Sequence, residues 1–264
     1  MREKISACIT AGNEEAKIRR CLESVTWADE IVVVDSFSTD RTVEICKEYT
    51  GRVYRHKWLG YIGQKNLIKD MAAGPWILFI DADEEVSERL KEEILAHLDT
   101  DGTEYAGYEF PRMVQYLGKW ITHGDWYPDI KLRLFRKELG KCAGVEPHDR
   151  VTVRGKVRRL RGNLYHYTYD NIEDQVAAIN RFSTITALGW HKRGKRARVI
   201  DIVFRPLLRF LRGYVFRLGF INGARGLIIA VTISYGVFIK YAKLRQFNAF
   251  GLSSDEDAAT RGMR

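Results

Sequence analysis

The chain has 264 residues, of which 45% are hydrophobic, enough for one large core domain with an appendage; this excludes wholesale disorder. The formal charge of +9 is divided unevenly: 22 Lys and Arg stand against 27 Asp and Glu over residues 1–150, and 19 against 4 over 151–250. A mildly acidic front joined to a strongly basic back predicts two parts with different work.

The chain opens with Lys4–Thr10, a run of strand formers without the long apolar core of a signal peptide, so a cytoplasmic protein is expected. Glu14–Val25 sets Ile18, Cys21, Leu22 and Val25 on one helical stripe. Glu30–Asp35 (EIVVVD) is apolar without alternation, the mark of a parallel strand covered on both faces. Thr39 or Asp40 is placed to cap a helix that turns Val43, Ile45 and Cys46 inward. A short strand over Arg52–His56 follows, then a helix over Ile62–Ala73 stopped by Gly74-Pro75, a buried strand over Trp76–Ile80 and an amphipathic helix over Ser87–Leu98. The four cysteines (Cys8, Cys21, Cys46, Cys142) show no zinc spacing and read as buried free thiols.

Strands alternating with helices predict an α/β fold with a mostly parallel sheet, whose ligands bind beyond the carboxyl ends of the strands. Asp35, Asp81 and Asp83 are expected to meet there. Neither a G-x-G-x-x-G turn nor a P-loop is present, which sets aside dinucleotide and P-loop binding. Carboxylates at strand ends suit a divalent cation, Mg2+ or Mn2+, that neutralises a diphosphate. A competing reading of the same stretch makes Asp83 the cap of the next helix, with Glu84 and Glu85 at its positive end.

Four stretches, CITAGNEEAKIRRCLESV (8–25), EIVVVDSFSTDRTVEIC (30–46), GQKN (63–66) and WILFIDADEEV (76–86), together resemble family 2 glycosyltransferases of the GT-A fold. WYPDIKLRLFRK (126–137), GVEPHDRV (144–151) and residues 205–230 resemble the lipopolysaccharide-core β-glucosyltransferase subgroup. The resemblance implies a nucleotide-sugar pocket with Thr10, Glu14, Asp35, Lys65 and Asp81, a metal held by Asp83, and Asp149 as catalytic carboxylate. Two departures stand out. Asp149 takes the place of a usual glutamate, leaving Glu146 as a competitor, and Phe37 occupies a position where glycine is common. The implied reaction is inverting transfer of a hexose from a UDP-sugar, UDP-glucose first, to a lipid-linked glycan such as the lipopolysaccharide inner core.

Lys131 and Arg133 alternate with Leu132 and Leu134, so they lie on a solvated strand face or add positive charge near the diphosphate. Trp126 is either core or a sugar-stacking platform for the acceptor. His148 contacts phosphate, orients the base or makes a structural bond, and His166 reads as structural.

The back half begins with a helix over Ile172–Leu188, followed by a basic linker from Lys192 to Arg198. A helix over Val199–Leu218 carries Arg205, Arg209 and Arg212 on one face, with Phe204, Leu207, Leu208, Leu211 and Val215 opposite. The apolar run 226–239 is shorter than the ~20 residues of a membrane span, and extending it backward meets Arg225. This predicts an interfacial segment that holds the protein peripherally on the anionic inner face of the cytoplasmic membrane. A helical pair packed on the sheet, or a homodimer interface, is the alternative. Nucleic acid is not expected, because apolar runs interleave with the arginines.

The expected organisation is therefore a GT-A catalytic domain over 1–170, with a nucleotide-sugar half over 1–100 and an acceptor half over 101–170. A helical region over 171–250 and a disordered tail over 251–264 complete it. Two other functions compete: a catalytically idle nucleotide- or carbohydrate-binding tether, and a nucleotidyltransferase.

Overall fold

The computed structural model describes residues 3–100, 104–146 and 148–251, with the side chain of His148 outside the description. The tail expected to be disordered lies outside the described residues, apart from Gly251. The chain divides into two compact units, Met1–Gln115 with Asp129–Thr168, and Tyr116–Pro128 with Tyr169–Arg264. Residues 116–128, grouped by the sequence with an acceptor half of the first domain, belong to the helical unit.

The first unit begins with the alternation expected: β1 (Ile5–Ala11), α1 (Ile18–Glu23), β2 (Glu30–Asp35), α2 (Thr42–Lys47), β3 (Val53–Arg55), α3 (Gly60–Met71) and β4 (Trp76–Asp81). β5 (Glu84–Val86) and α4 (Glu88–Thr100) follow, then β6 (Gly107–Tyr116). After β7 (Lys119–Trp120), whose residues are grouped with the helical unit, come β8 (Asp129–Arg136), β9 (Gly140–Val145), β10 (His148–Val153), β11 (Val157–Arg159) and β12 (Leu164–Tyr169).

β3, β2, β1 and β4 lie side by side in that order and run parallel. β8 joins β4 antiparallel, and the sheet continues through β6 and β12 to β5. β9 and β10 form a separate antiparallel hairpin. The central strands are apolar on both faces because helices cover both. Ile5, Ala7, Ile9 and Trp76 pack into one core layer, and Cys8, Val32, Val34, Phe79 and Phe135 into the other.

Three local expectations change. α1 is shorter than predicted, because the Glu14 carbonyl first accepts from Lys17 and Ile18 in a turn. Neither Thr39 nor Asp40 occupies the N-cap of α2, which falls on Arg41; Asp40 Oδ1 instead accepts from the Thr42 amide at 3.0 Å. α4 is opened by Ser87, whose Oγ accepts from the Leu90 amide at 3.2 Å. Asp83 is therefore not its cap.

The second unit contains α5 (Ile172–Lys192), α6 (Val199–Phe210) and α7 (Ala224–Phe250), with α7 packed on both others. The single helix expected over 199–218 ends at Phe210 and gives way to a π-helical turn at Leu211–Phe216 and a 3-10 turn at Gly219–Asn222. Close backbone approach requires this path: a Cβ on Gly219 would stand 2.6 Å from the Gly213 carbonyl oxygen. α7, at 27 residues, outlasts the apolar run read from the sequence and has the length and composition to cross a membrane.

Candidate active site

The β1 ladder sets the geometry of the site. Thr10 pairs with Asp81 on one side, and Ala11 pairs with Asp35 on the other. Asp35 and Asp81 therefore end strands that flank β1 at the same carboxyl edge, about 10 Å apart across two strand spacings. A cavity of about 650 Å³ opens at the opposite, amino edge, lined by Lys4, Ser6, Glu30 and Arg52 among others, away from these acids.

The loops after β1 and β2 are stitched together. Asn13 Oδ1 accepts from the Thr39 amide, Ser38 Oγ from the Asn13 amide, and Thr42 Oγ1 from the Glu14 amide, each at 2.8 Å. Asp35 is fully buried and accepts from the Ser38 amide and hydroxyl and from Arg55 Nε. In this structure its carboxylate shapes the loop. Phe37, between them, has φ 61° and lies half exposed under the Arg55 guanidinium, 5.2 Å from its ring centre. That left-handed backbone is the physical reason glycine suits the position.

Each residue of the Gln-Lys-Asn run on α3 ties down a different part of the site. Gln64 Nε2 donates to Ser36 Oγ at 3.2 Å. Asn66 exchanges two bonds with the Cys142 backbone, anchoring the β9–β10 hairpin. Lys65, between them and buried, reaches Asp81 at 3.1 Å and Asp149 at 3.0 Å. One ammonium thus bridges the end of β4 and the hairpin, bringing together two acids 68 residues apart in sequence.

Arg133 on β8 enters from the other side, 2.6 Å from Asp81 and 3.3 Å from Glu84. Burial by itself would raise the Asp81 carboxyl, but Arg133 and Lys65 hold it well below the usual carboxylate range. Burial opposes the charge on Arg133 too, and Asp81 and Glu84 more than restore it. Glu84, expected at a helix terminus, is instead a buried acid shared by Arg133 and Arg112, and Arg112 also holds Asp129 at 2.8 Å. Lys131 pairs with Asp129 at 3.1 Å and makes no ion pair with Asp81, Asp83 or Asp149.

Asp83 leans on His166, 3.0 Å from Nε2, a contact prepared by the antiparallel β5–β12 register that sets His166 opposite Glu84. Arg133 Nε and His166 Nδ1 are buried and lack hydrogen-bond partners among the described residues. A cluster completed by a ligand leaves polar atoms in this condition. Among the described residues no three His, Cys, Asp or Glu side chains converge as a complete metal cage. Asp83 and His166 offer an oxygen and a nitrogen, and a Mg2+ or Mn2+ drawing its other ligands from phosphate and water needs no more from the protein.

Glu146 is accounted for elsewhere: it accepts from the Tyr61 and Ile62 amides at 3.1 and 2.9 Å, at the amino end of α3. Trp126 lies in the helical unit, edge-on to Tyr116 at 5.1 Å and 6.1 Å from the Tyr169 ring. It packs with Tyr116, Ile121 and Ile229. His148 contributes its backbone to β10, and its side chain lies outside the described residues. His166, Glu84, Arg112 and Asp129 are the members of the cluster that sequence reasoning missed.

An open α/β sheet with paired acids, two buried cations and stitched loops at its carboxyl edge defines a ligand-binding crevice there. The chain belongs to glycosyl transferase family 2, whose family model matches residues 6–161. It is 33% identical to the lipopolysaccharide core biosynthesis glycosyltransferase LpsC of Rhizobium meliloti, over 97% of each chain. It is 32% identical to an uncharacterized glycosyltransferase of Rickettsia typhi, over 93% of this chain and 88% of the relative. Among solved structures it is similar to residues 1–349 of S. aureus TarS in complex with UDP-GlcNAc, at 13% identity and TM-score 0.47, covering 95% of this chain and 93% of that one. The fold is GT-A and the protein is a glycosyltransferase, which sets aside the nucleotidyltransferase and idle-tether alternatives.

Proposed function

We propose that the protein transfers a hexose from a UDP-sugar, with UDP-glucose favoured, to a lipid-linked glycan acceptor such as the lipopolysaccharide inner core, with inversion at the anomeric carbon. The observation that carries this reading is the Lys65 bridge between Asp81 and Asp149. It sets a carboxylate from the hairpin beside the acidic end of β4, as a base and a donor site must be placed. Asp149 takes the proton from the acceptor hydroxyl as that oxygen attacks the anomeric carbon. Lys65 and Arg133 face the departing diphosphate. General-base help of this kind is worth roughly 10²–10⁴-fold.

Charge balance favours a metal. Lys65, Arg112, Lys131 and Arg133 stand against Asp81, Asp83, Glu84, Asp129 and Asp149, so the cluster is already net negative before a diphosphate arrives. Mg2+ or Mn2+ held by Asp83 with His166 would supply the missing positive charge. Thr10 and Glu14 line the donor side. Asp35 and Phe37 present the loop that meets the base.

The lipid-linked acceptor accords with the name of the Rhizobium relative and with α6, none of whose residues is buried. Val199, Val203, Phe204, Leu207 and Leu208 are exposed on it, as in a helix lying in the headgroup plane. α7 is bound sideways to α5, with Lys243 Nζ reaching Asn180, Ser183 and Thr184. A peripheral attachment at the cytoplasmic face keeps those bonds, whereas a lone span would break them.

Sugar release from a panel of nucleotide sugars with Mg2+ or Mn2+ tests the reading. Asp149→Asn is expected to lower turnover at least about a hundredfold with donor binding intact. Near-normal turnover in that variant would remove Asp149 from the role, and wild-type activity unaffected by chelator would remove the metal.

A further inference from the structure

We propose that Lys195 and Lys240, gathered on the Trp190 ring and rimmed by Arg205 and Arg209, form a binding site for a phosphate group. The site lies wholly within the helical unit. Trp190 comes from the last turns of α5, Lys195 from the linker, the arginines from successive turns of α6, and Lys240 from α7. Lys195 Nζ stands 4.6 Å from the indole centre and Lys240 Nζ 4.7 Å from the same ring. Tyr241 completes the platform, 5.3 Å from Trp190, with the Arg205 guanidinium 5.1 Å above it.

The linker is held in place: the Lys195 amide donates to the Trp190 carbonyl at 3.0 Å, and Asn248 Nδ2 donates to the Lys195 carbonyl at 3.1 Å. The charges are unbalanced. Arg205 is bonded to Asp201, and Arg209 is ion-paired with Asp125, which also faces Arg217. Neither lysine has a carboxylate within ion-pair distance among the described residues. Burial, then the nearness of Arg209, Arg205 and Lys195, pulls the Lys240 ammonium below its ordinary value. A ring face attracts each cation but accepts none of its N–H bonds in full. A tetrahedral anion between the two ammoniums would take those bonds and relieve the repulsion, and lysine suits phosphate as a point charge.

The surroundings favour a phosphate carried on something apolar. Val203, Phe204, Leu207 and Leu208 are exposed on the same helix as the two arginines. Lys240 closes the uncharged run 226–239, the position from which a lysine snorkels to a headgroup. An anionic lipid headgroup is thus the favoured source. That source rests on the membrane reading above, whereas the phosphate site itself does not.

The test uses the full chain in two arms. In the first, flotation with vesicles of phosphatidylcholine, with and without phosphatidylglycerol, compares wild type with Lys195→Gln/Lys240→Gln and with Lys192→Gln/Arg196→Gln. The latter removes equal charge off the ring. The ring variant is expected to bind anionic vesicles at least about tenfold more weakly than the control, whose two charges act only through the general attraction of the surface. In the second arm, inorganic phosphate and glycerol 3-phosphate are titrated against the Trp190 fluorescence, defined by difference from Trp190→Phe. A saturable response absent from the ring variant places a free phosphate group at the site, and vesicle sensitivity without it assigns the headgroup. Equal loss in the two double variants with no soluble response overturns the site but leaves the membrane reading standing. Failure of wild type to bind either probe overturns both the site and the membrane reading, with sugar release untouched. Should the ring variant not fold, Lys195→Gln alone, at an exposed linker position, gives the same comparison with an effect of about threefold.

Discussion

Arg133 is the cation on which the crevice is balanced, and replacing it tests that arrangement. Its side chain is 7% exposed and reaches Asp81 at 2.6 Å and Glu84 at 3.3 Å, and the Glu84 side chain is fully buried. Arg133→Met keeps the apolar stem and removes the charge. Taking one partner from a buried pair costs about 3–5 kcal/mol, because the other charge is left without compensation. Arg112 still stands 3.3 Å from Glu84, and Lys65 3.1 Å from Asp81, so the lower end, about 3 kcal/mol, is expected. Glu84→Gln removes one of the stranded carboxylates while keeping an acceptor for the Asp81 amide, which donates to Glu84 Oε2 at 2.9 Å. The double variant should therefore be more stable than the sum of the single losses by at least about 1 kcal/mol. Urea unfolding followed by far-UV circular dichroism supplies the three free energies, provided the m-value is common to all. A loss below about 1 kcal/mol for Arg133→Met, or simple additivity in the double variant, would refute the idea that this cation holds the acids together.

Phe37 should show its backbone in a comparison of two small substitutions. Phe37→Gly and Phe37→Ala both lose the ring under Arg55, but only glycine relieves φ 61°, so the glycine variant should be about 1 kcal/mol more stable than the alanine one in urea. Glu146→Gln should leave turnover within about threefold of wild type and cost roughly 1 kcal/mol, because its charge serves the amino end of α3. A loss of turnover matching that of Asp149→Asn would restore Glu146 as the base. Asp81 provides a pH signature. Its folded-state pKa is depressed by Arg133 and Lys65 despite burial, so its stabilisation is complete above the unfolded value of about 3.9 and is lost as pH falls toward the lower folded value. Wild type should therefore lose more stability than Asp81→Asn in acid below about pH 4, and parallel acid limbs in denaturant titrations would contradict the assignment.

What could be read from the sequence follows the range over which each feature is encoded. β1, β2 and β4 are continuous apolar runs because helices cover both faces, and that pattern is local. Once the sheet is parallel, strand polarity alone carries Asp35 and Asp81 to one edge. The counterions obey no such rule. Lys65 was reached through the resemblance of a Gln-Lys-Asn run, not through any periodicity. Arg133 could be placed on a polar strand face, but the same alternation put Lys131 there as well. What distinguishes the buried arginine from the lysine that turns to Asp129 is the β6–β8 ladder, which steps from Tyr108↔Leu134 to Glu109↔Leu132 and leaves Arg133 as the extra residue. His166 meets Asp83 across 83 residues because β12 returns antiparallel to β5, and two-residue alternation in β12 is silent about which strand it will join. In the helical unit the break after Phe210 depends on backbone contacts among glycines from different turns, and an amphipathic pattern extends straight through it. Periodicity declares which side of an element is buried. The partner of a buried charge is chosen by tertiary register, so the acids at the strand ends were legible while the cations that hold them were largely not.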